Sequence, residues 1–137
     1  MIIPMLVCRD GAAEVEFCRR VFGAVELSRR VGEEGNVLHA TLKLNDALIM
    51  IHGLTPHLES TAPQRNGTSP VVIYLYGDAV DPVIDRAVAA GARVLLPAAD
   101  QFWGDRVGRI IDPEGHVWNI AARIGGEAPP PAHPAAP

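Results

Sequence analysis

The first part of the chain alternates between strand-like and helix-like patterns of hydrophobic residues. An apolar run at residues 2–7 precedes a stretch, residues 12–22, whose apolar side chains recur at helical spacing and which ends at Gly23. Three further strand-like runs follow before a segment rich in Gly, Pro, Ser and Thr. The predicted order is therefore strand, helix, strand, strand, strand. The last three strands cover residues 25–31, 37–44 and 47–52.

The second part repeats this order. A strand at residues 71–76 leads to a helix at 80–90, opened by Asp78 or Asp81 and ended by Gly91. The two helices end in matching phrases, Val-Phe-Gly-Ala and Ala-Ala-Gly-Ala. The pattern predicts an α+β fold of two βαβββ modules. The remaining strands cover residues 93–96, 105–111 and 116–123.

The domain organisation follows from these patterns. We expect a first module at residues 1–52, a linker at 53–69 and a second module at 70–124. Residues 125–137 are rich in Pro and Ala, which disfavour regular hydrogen-bonded structure, so we expect a disordered tail. The linker is long for a compact domain, where such loops often cover a site or permit exchange of parts between chains.

Composition narrows the classes of function. The chain has 137 residues, of which 48% are hydrophobic and 20% charged, as in soluble globular proteins. A formal net charge of −4 argues against a nucleic-acid surface, which needs a basic stripe. No run approaches a membrane span, so we expect no membrane partner. Cys8 and Cys18 form neither a disulfide framework nor a zinc spacing, which favours a cytoplasmic protein.

Four phrases in order resemble one protein family. They are Glu-Phe-Cys-Arg-Arg-Val-Phe-Gly-Ala at 16–24, Leu-His-Ala-Thr-Leu-Lys-Leu-Asn-Asp at 38–46, Asp-Gln-Phe-Trp-Gly-Asp-Arg at 100–106 and Asp-Pro-Glu-Gly-His-Val-Trp at 112–118. Together they resemble the vicinal oxygen chelate (glyoxalase/bleomycin-resistance/dioxygenase) superfamily, and the last two its PhnB-like branch. The resemblance implies that the modules form a curved mixed sheet around a cup, and that the chain is a homodimer of intact or module-exchanging subunits.

The resemblance also implies a divalent metal held by four side chains. Carried onto this chain, those positions hold Ile3, Met50, Val72 and Asn119. Two aliphatic side chains and a thioether cannot hold a hard cation, and a neutral amide alone is a poor ligand. We therefore predict a metal-free cup without a cofactor.

The hairpin at residues 44–47 identifies the cup side of the first module. Asn45 and Asp46 suit a two-residue loop, which places His39 opposite His52 and Thr41 opposite Met50. Because Met50 occupies a metal position, we expect these four side chains to line the cup and to contact a ligand.

The hairpin at residues 112–116 identifies the cup side of the second module. A three-residue loop with Gly115 in the left-handed region places Arg109 opposite Asn119, with Asp105 near Arg123. Side chains two residues apart on a strand point to the same face, so Tyr74 shares the cup side with Val72, which stands at a metal position.

Several of these side chains suit ligand binding. Tyr74 and Trp103 offer flat apolar walls for a planar ligand. Asp105 could form charge-assisted bonds to a ligand or a salt bridge at the start of the strand. Arg109 could clamp an anionic ligand group or pair with Asp105 or Glu114.

These observations leave three hypotheses for function. The first is a protein that binds a small organic molecule in a metal-free cup, as in antibiotic sequestration or resistance. The second is a metal-free lyase or isomerase in which His39 acts as general base and Arg109 steadies an oxyanion. The third, which the metal positions disfavour, is a metal-dependent glyoxalase- or dioxygenase-type enzyme, with His39 and His52, alone or together with Asp105, as unconventional ligands.

Overall fold

The predicted βαβββ order occurs twice in the protein. A computed structural model describes residues 1–125, apart from the side chain of Pro56, so the tail expected at 125–137 lies almost wholly outside the described residues. A short 3-10 helix, Pro56–Leu58, lies within the linker. The elements are β1 (Met5–Cys8), α1 (Gly11–Phe22), β2 (Val25–Val31), β3 (Val37–Leu44), β4 (Ala47–Gly53), β5 (Val72–Tyr76), α2 (Asp81–Ala89), β6 (Arg93–Asp100), β7 (Asp105–Ile111) and β8 (Val117–Arg123).

Local sequence explains where the helices begin and end. Asp10 caps α1, its side chain accepting a hydrogen bond from the amide of Ala13, and Gly23 ends the helix in the left-handed region at φ 69°. Helix α2 begins at Asp81, one of the two residues expected to open it. The residue before it, Val80, makes no side-chain cap, and a proline in the first turn fixes the backbone instead.

The strands form two four-stranded mixed sheets. Their orders are β1-β4-β3-β2 and β5-β8-β7-β6, with β1–β4 and β5–β8 parallel and the other pairs antiparallel. This confirms the predicted fold class. Strand β6 continues beyond its predicted end at residue 96 because it lies at the edge of its sheet, where Pro97 and two register shifts are tolerated.

Both hairpins have the predicted register. Asn45 takes a positive φ of 49°, and His39 lies opposite His52. In the second module Gly115 has φ 95°, and Arg109 lies opposite Asn119. Side-chain orientation follows from this register, since alternate residues of a strand point to opposite faces of the sheet.

One face of each sheet packs into a shared core. Helices α1 and α2 contact each other, and buried residues of both sheets belong to one hydrophobic cluster. Phe22 at the end of α1 packs on Trp118 of β8, with ring centroids 4.7 Å apart. The other face of each sheet is therefore directed away from this core. We call it the first open face in the sheet of the first module and the second open face in the sheet of the second module.

Within residues 1–125, no helix is long and apolar enough to cross a membrane.

Candidate functional site

The first open face carries the four cup residues predicted for the first module. His39, Thr41, Met50 and His52 are all half-buried there. The rings of His39 and His52 meet edge to face with centroids 6.4 Å apart. Within the described chain, the His39 imidazole makes no hydrogen bond to protein, and Nδ1 of His52 is buried without a partner. Both imidazoles therefore keep hydrogen-bonding capacity that a ligand can use.

The second open face is organised around the carboxylate of Asp105. Its Oδ2 accepts hydrogen bonds from the hydroxyls of Tyr74 at 2.7 Å and Tyr76 at 2.6 Å, and from the indole N–H of Trp103 at 3.1 Å. Its Oδ1 accepts one from Arg123 at 3.1 Å, which completes a salt bridge. Asp105 is fully buried in the chain. Tyr76 is not among the predicted site residues, although the alternation that brings Tyr74 to this side of the sheet also brings Tyr76 there.

These contacts keep Asp105 ionised. Burial raises the pKa of its carboxyl. The hydrogen bonds that it accepts together lower the pKa by more than burial raises it, so the net pKa lies below the ordinary value; the donors are Tyr76, Tyr74, Arg123 and Trp103. Burial and the bond to Asp105 raise the pKa of both tyrosines, which stay protonated and donate. Both carboxylate oxygens are thus engaged by protein donors, and Asp105 holds the aromatic side chains of this face in place.

Arg109 extends across the second open face beside β8. Its Nε donates a 2.7 Å hydrogen bond to Oδ1 of Asn119. The two carboxylates considered as its partners are engaged elsewhere, Asp105 by Arg123 and Glu114 by an arginine of the linker at 2.9 Å. No acidic side chain in residues 1–125 forms an ion pair with Arg109.

Arg109 and Asn119 border a cavity of about 280 Å³. Trp103 forms part of its wall, and its indole N–H also lies 3.2 Å from the hydroxyl of Tyr74. The cavity thus combines a cation, an amide and an aromatic surface, as small-molecule sites do. Its other lining residues are Leu96, Pro97, Gln101, Val107 and Gly108.

A larger cavity, about 670 Å³, lies between β1, β5 and the linker. Residues 61–64, 66 and 68–70 form one side of it, and His116 another, where its Nε2 lies 2.9 Å from the carbonyl oxygen of Val7. This cavity could not be predicted from the sequence, because a segment rich in Gly, Pro, Ser and Thr gives no signal for the surface on which it packs.

The residues at the family's metal positions do not fit a divalent ion. Ile3 precedes β1, whose Met5 lies beside Met50, and neither an aliphatic group nor a thioether is a ligand for a hard cation. Asn119 offers one oxygen, but that atom already accepts from a guanidinium, whose charge opposes a second cation. Across residues 1–125, no group of three or more His, Cys, Asp and Glu side chains is arranged to hold a metal.

One chain does not bring the predicted site residues together. Four lie on the first open face and five on the second, and the shared core separates the two faces. An unconventional metal site of His39, His52 and Asp105 is therefore not formed within one chain. The first group is His39, Thr41, Met50 and His52, and the second is Tyr74, Trp103, Asp105, Arg109 and Asn119.

Comparison with known proteins agrees with this architecture. The model of the Glyoxalase/Bleomycin resistance protein/Dioxygenase superfamily matches residues 3–120. An uncharacterized protein of Mycobacterium bovis is 39% identical over 124 residues, covering 88% of this chain and 82% of that protein. The crystal structure of TioX from Micromonospora sp. ML1 is similar with a TM-score of 0.70 and 28% identity, over 89% of this chain and 97% of TioX. A PhnB protein from Bacillus cereus, described as a putative 3-demethylubiquinone-9 3-methyltransferase, shares the fold with a TM-score of 0.67 and 21% identity, over 88% and 98% of the chains.

Proposed function

Because the chain belongs to the glyoxalase/bleomycin resistance protein/dioxygenase superfamily, we propose that it binds a small organic molecule in a metal-free cup built by a homodimer. One observation carries this proposal. At the position of the last metal ligand stands Asn119, whose oxygen is held 2.7 Å from the guanidinium of Arg109. A neutral amide bonded to a cation suits contact with an organic ligand and opposes a divalent metal.

The separation of the open faces supports the proposed homodimer. Each face presents half of a cup, and strands β1 and β5 each lie at one end of their sheet with an unpaired edge. If the first module of one protomer pairs with the second module of its partner, these edges meet and two half-cups enclose one site. We therefore propose that each cup combines the first module of one protomer with the second module of its partner, while the core within each chain stays intact.

The biological role we propose is sequestration of an organic molecule in the cytoplasm, with an antibiotic as the candidate class. Half-buried histidines, aromatic rings and one cation are suited to holding a flat, drug-sized molecule without changing it. The phrases at residues 100–106 and 112–118 favour the PhnB-like branch of the superfamily.

A second candidate function is a metal-free lyase or isomerase. It is favoured by His39, whose imidazole lies half-buried on the first open face without a hydrogen bond to any described residue. An imidazole without a protein partner can accept a proton from a ligand. His39→Ala distinguishes the two functions, because an enzyme would lose turnover whereas a sequestering protein would lose only part of its affinity.

Native mass spectrometry with elemental analysis tests the proposal, on protein purified without chelator or nickel resin. We expect a dimer without bound metal, carrying a co-purified organic molecule. One tightly bound Ni, Zn or Fe per protomer would refute the metal-free cup and favour a metal-dependent enzyme. Light scattering that finds only monomer across micromolar concentrations would refute the dimer.

A further inference from the structure

The arginines of the second sheet differ in how their charge is compensated. Arg106 is held by Asp81 at 2.7 Å, and Arg123 reaches the buried carboxylate of Asp105 at 3.1 Å. Arg109 has only a neutral amide oxygen as its partner in the described chain, although it is half-buried. A partly desolvated cation without a counter-charge is costly, and binding of an anion removes that cost.

The hydrogen bond of Arg109 also orients its guanidinium. Because Nε donates to Asn119, that edge of the group is engaged, whereas neither terminal amino group has a described partner. A guanidinium fixed in this way presents its two terminal amino groups to an oxyanion, and its planar shape matches the two oxygens of a carboxylate.

The walls of the 280 Å³ cavity define the rest of the ligand. The indole of Trp103 is fixed by its N–H to Asp105 at 3.1 Å, so its ring is a preorganised surface. Leu96, Pro97 and Val107 supply further apolar area. The carboxylate of Asp105 does not repel an anion strongly, since Arg123 and the hydrogen-bond donors around it compensate its charge.

From these contacts we propose that Arg109 replaces the superfamily's metal as the binder of the ligand's anionic oxygens, and that the ligand is a flat aromatic carboxylate of one or two rings. Its carboxylate lies on the guanidinium of Arg109, and its ring lies along Trp103. This inference rests on the proposed function, because the partner's first open face would complete the cup above the cavity.

Isothermal titration calorimetry of the full-length protein tests the proposal by comparing the dissociation constants of 2-naphthoate and of its neutral analogue, 2-naphthamide. We expect the carboxylate to bind at least about tenfold more tightly than the amide, a difference of about 1.4 kcal/mol, because hydrogen bonds from a guanidinium to an anion are stronger than those to a neutral amide. Added salt should weaken binding of the carboxylate and leave the amide unaffected.

Variants separate the role of the charge from that of the fold. Arg109→Gln should lower the affinity for 2-naphthoate about tenfold or more and leave that for 2-naphthamide unchanged. Trp103→Leu should weaken both probes alike. The matched control, Arg20→Gln on the exposed side of α1, should change neither affinity. Circular dichroism of each variant verifies that it is folded.

Specific outcomes would overturn the inference. Equal affinity for the two probes would do so, as would naphthoate binding that survives Arg109→Gln. Inorganic phosphate that binds as tightly as 2-naphthoate would remove the requirement for a ring. If neither probe binds while mass spectrometry finds a metal-free dimer with a neutral or cationic molecule, this inference fails and the proposed function stands. A stoichiometric metal would refute both.

Discussion

The carboxylate of Asp105 should contribute strongly to the stability of the second sheet, and Asp105→Asn tests this. Both carboxylate oxygens are acceptors, one for Tyr74, Tyr76 and Trp103 and the other for Arg123. An asparagine of the same shape has one acceptor and one donor. Whichever way its amide is turned, an N–H of the new side chain faces another donor, and the salt bridge is lost.

The expected loss can be worked out from the burial of the pair. Removal of one partner of a buried ion pair costs about 3–5 kcal/mol. The side chain of Arg123 keeps 20% of its exposure, so water compensates part of the loss. We therefore expect the lower end, about 3 kcal/mol. For a chain of this length that corresponds to a fall in Tm of about 12 °C, at about 4 °C per kcal/mol.

Urea unfolding at pH 7, followed by far-UV circular dichroism, measures this difference. Asp100→Asn is the matched control: Asp100 also bonds an arginine, Arg106, but its side chain is 65% exposed. That substitution should change the free energy of unfolding by no more than about 0.5 kcal/mol. If Asp105→Asn does not fold, Tyr76→Phe removes one hydrogen bond to the same carboxylate and should cost about 1.5–3 kcal/mol.

The pH dependence gives a second readout. The pKa of Asp105 is lowered in the folded chain, so its stabilisation is complete above its ordinary value and is lost as the pH falls through the folded pKa. The gap between wild type and Asp105→Asn should hold steady above pH about 5 and narrow below pH about 4. A loss no larger than that of the control, or a gap that stays constant in acid, would refute this account of Asp105.

Three further predictions concern buried groups. Burial raises the pKa of Glu14 well above 4.5 and neighbouring carboxylates raise it further, so ionisation of Glu14 opposes folding as the pH rises. Glu14→Gln should therefore gain stability relative to wild type as the pH is raised above the ordinary pKa of a glutamate, measured by urea unfolding at a series of pH values. Cys8 and Cys18 are buried and burial raises the pKa of both thiols, so a disulfide reagent should label them only after unfolding, and rapid labelling of native protein would contradict their burial. Gly53→Ala would place a Cβ 2.6 Å from a backbone carbonyl and should cost about 1–3 kcal/mol, whereas Gly77→Ala, which meets nothing within 4 Å, should cost less than half as much in the same assay.

Hairpin register was the part of the site that sequence could predict. The loop at Asn45 fixes which residues of β3 and β4 lie opposite each other. Because successive side chains of a strand point to opposite faces, this register then determines the face on which each side chain of both strands lies. The same reasoning placed Arg109 opposite Asn119. These pairings are local, because each is determined by a short loop that contains one residue at positive φ, Asn45 or Gly115. They can therefore be predicted without knowing how the modules pack.

Contacts between distant parts of the chain could not be predicted in this way. The hairpin register predicts that Asp105 lies near Arg123. The three hydrogen bonds that aromatic side chains donate to its carboxylate, however, depend on how β5 lies across the sheet from the loop before β7. The complete burial of Glu14 on α1 depends on packing against the hairpin of the other module, near Asp112. Periodicity shows that a helix has a polar and an apolar side, but it does not show which partner covers either side.

The two halves of the proposed site are linked by the way the core is built. Because α1 and α2 pack against each other, both sheets use their helix-covered faces to form one core, and neither open face can close over the other in the same chain. The side chains that keep unused hydrogen-bonding capacity, His39 on one face and Arg109 on the other, are thereby half-buried rather than enclosed. Closure by a second copy would desolvate both at once and strengthen their electrostatic interaction with a ligand. In the proposed dimer, assembly and formation of the ligand site would therefore be the same event, and a ligand that binds only the closed cup would stabilise the dimer by mass action.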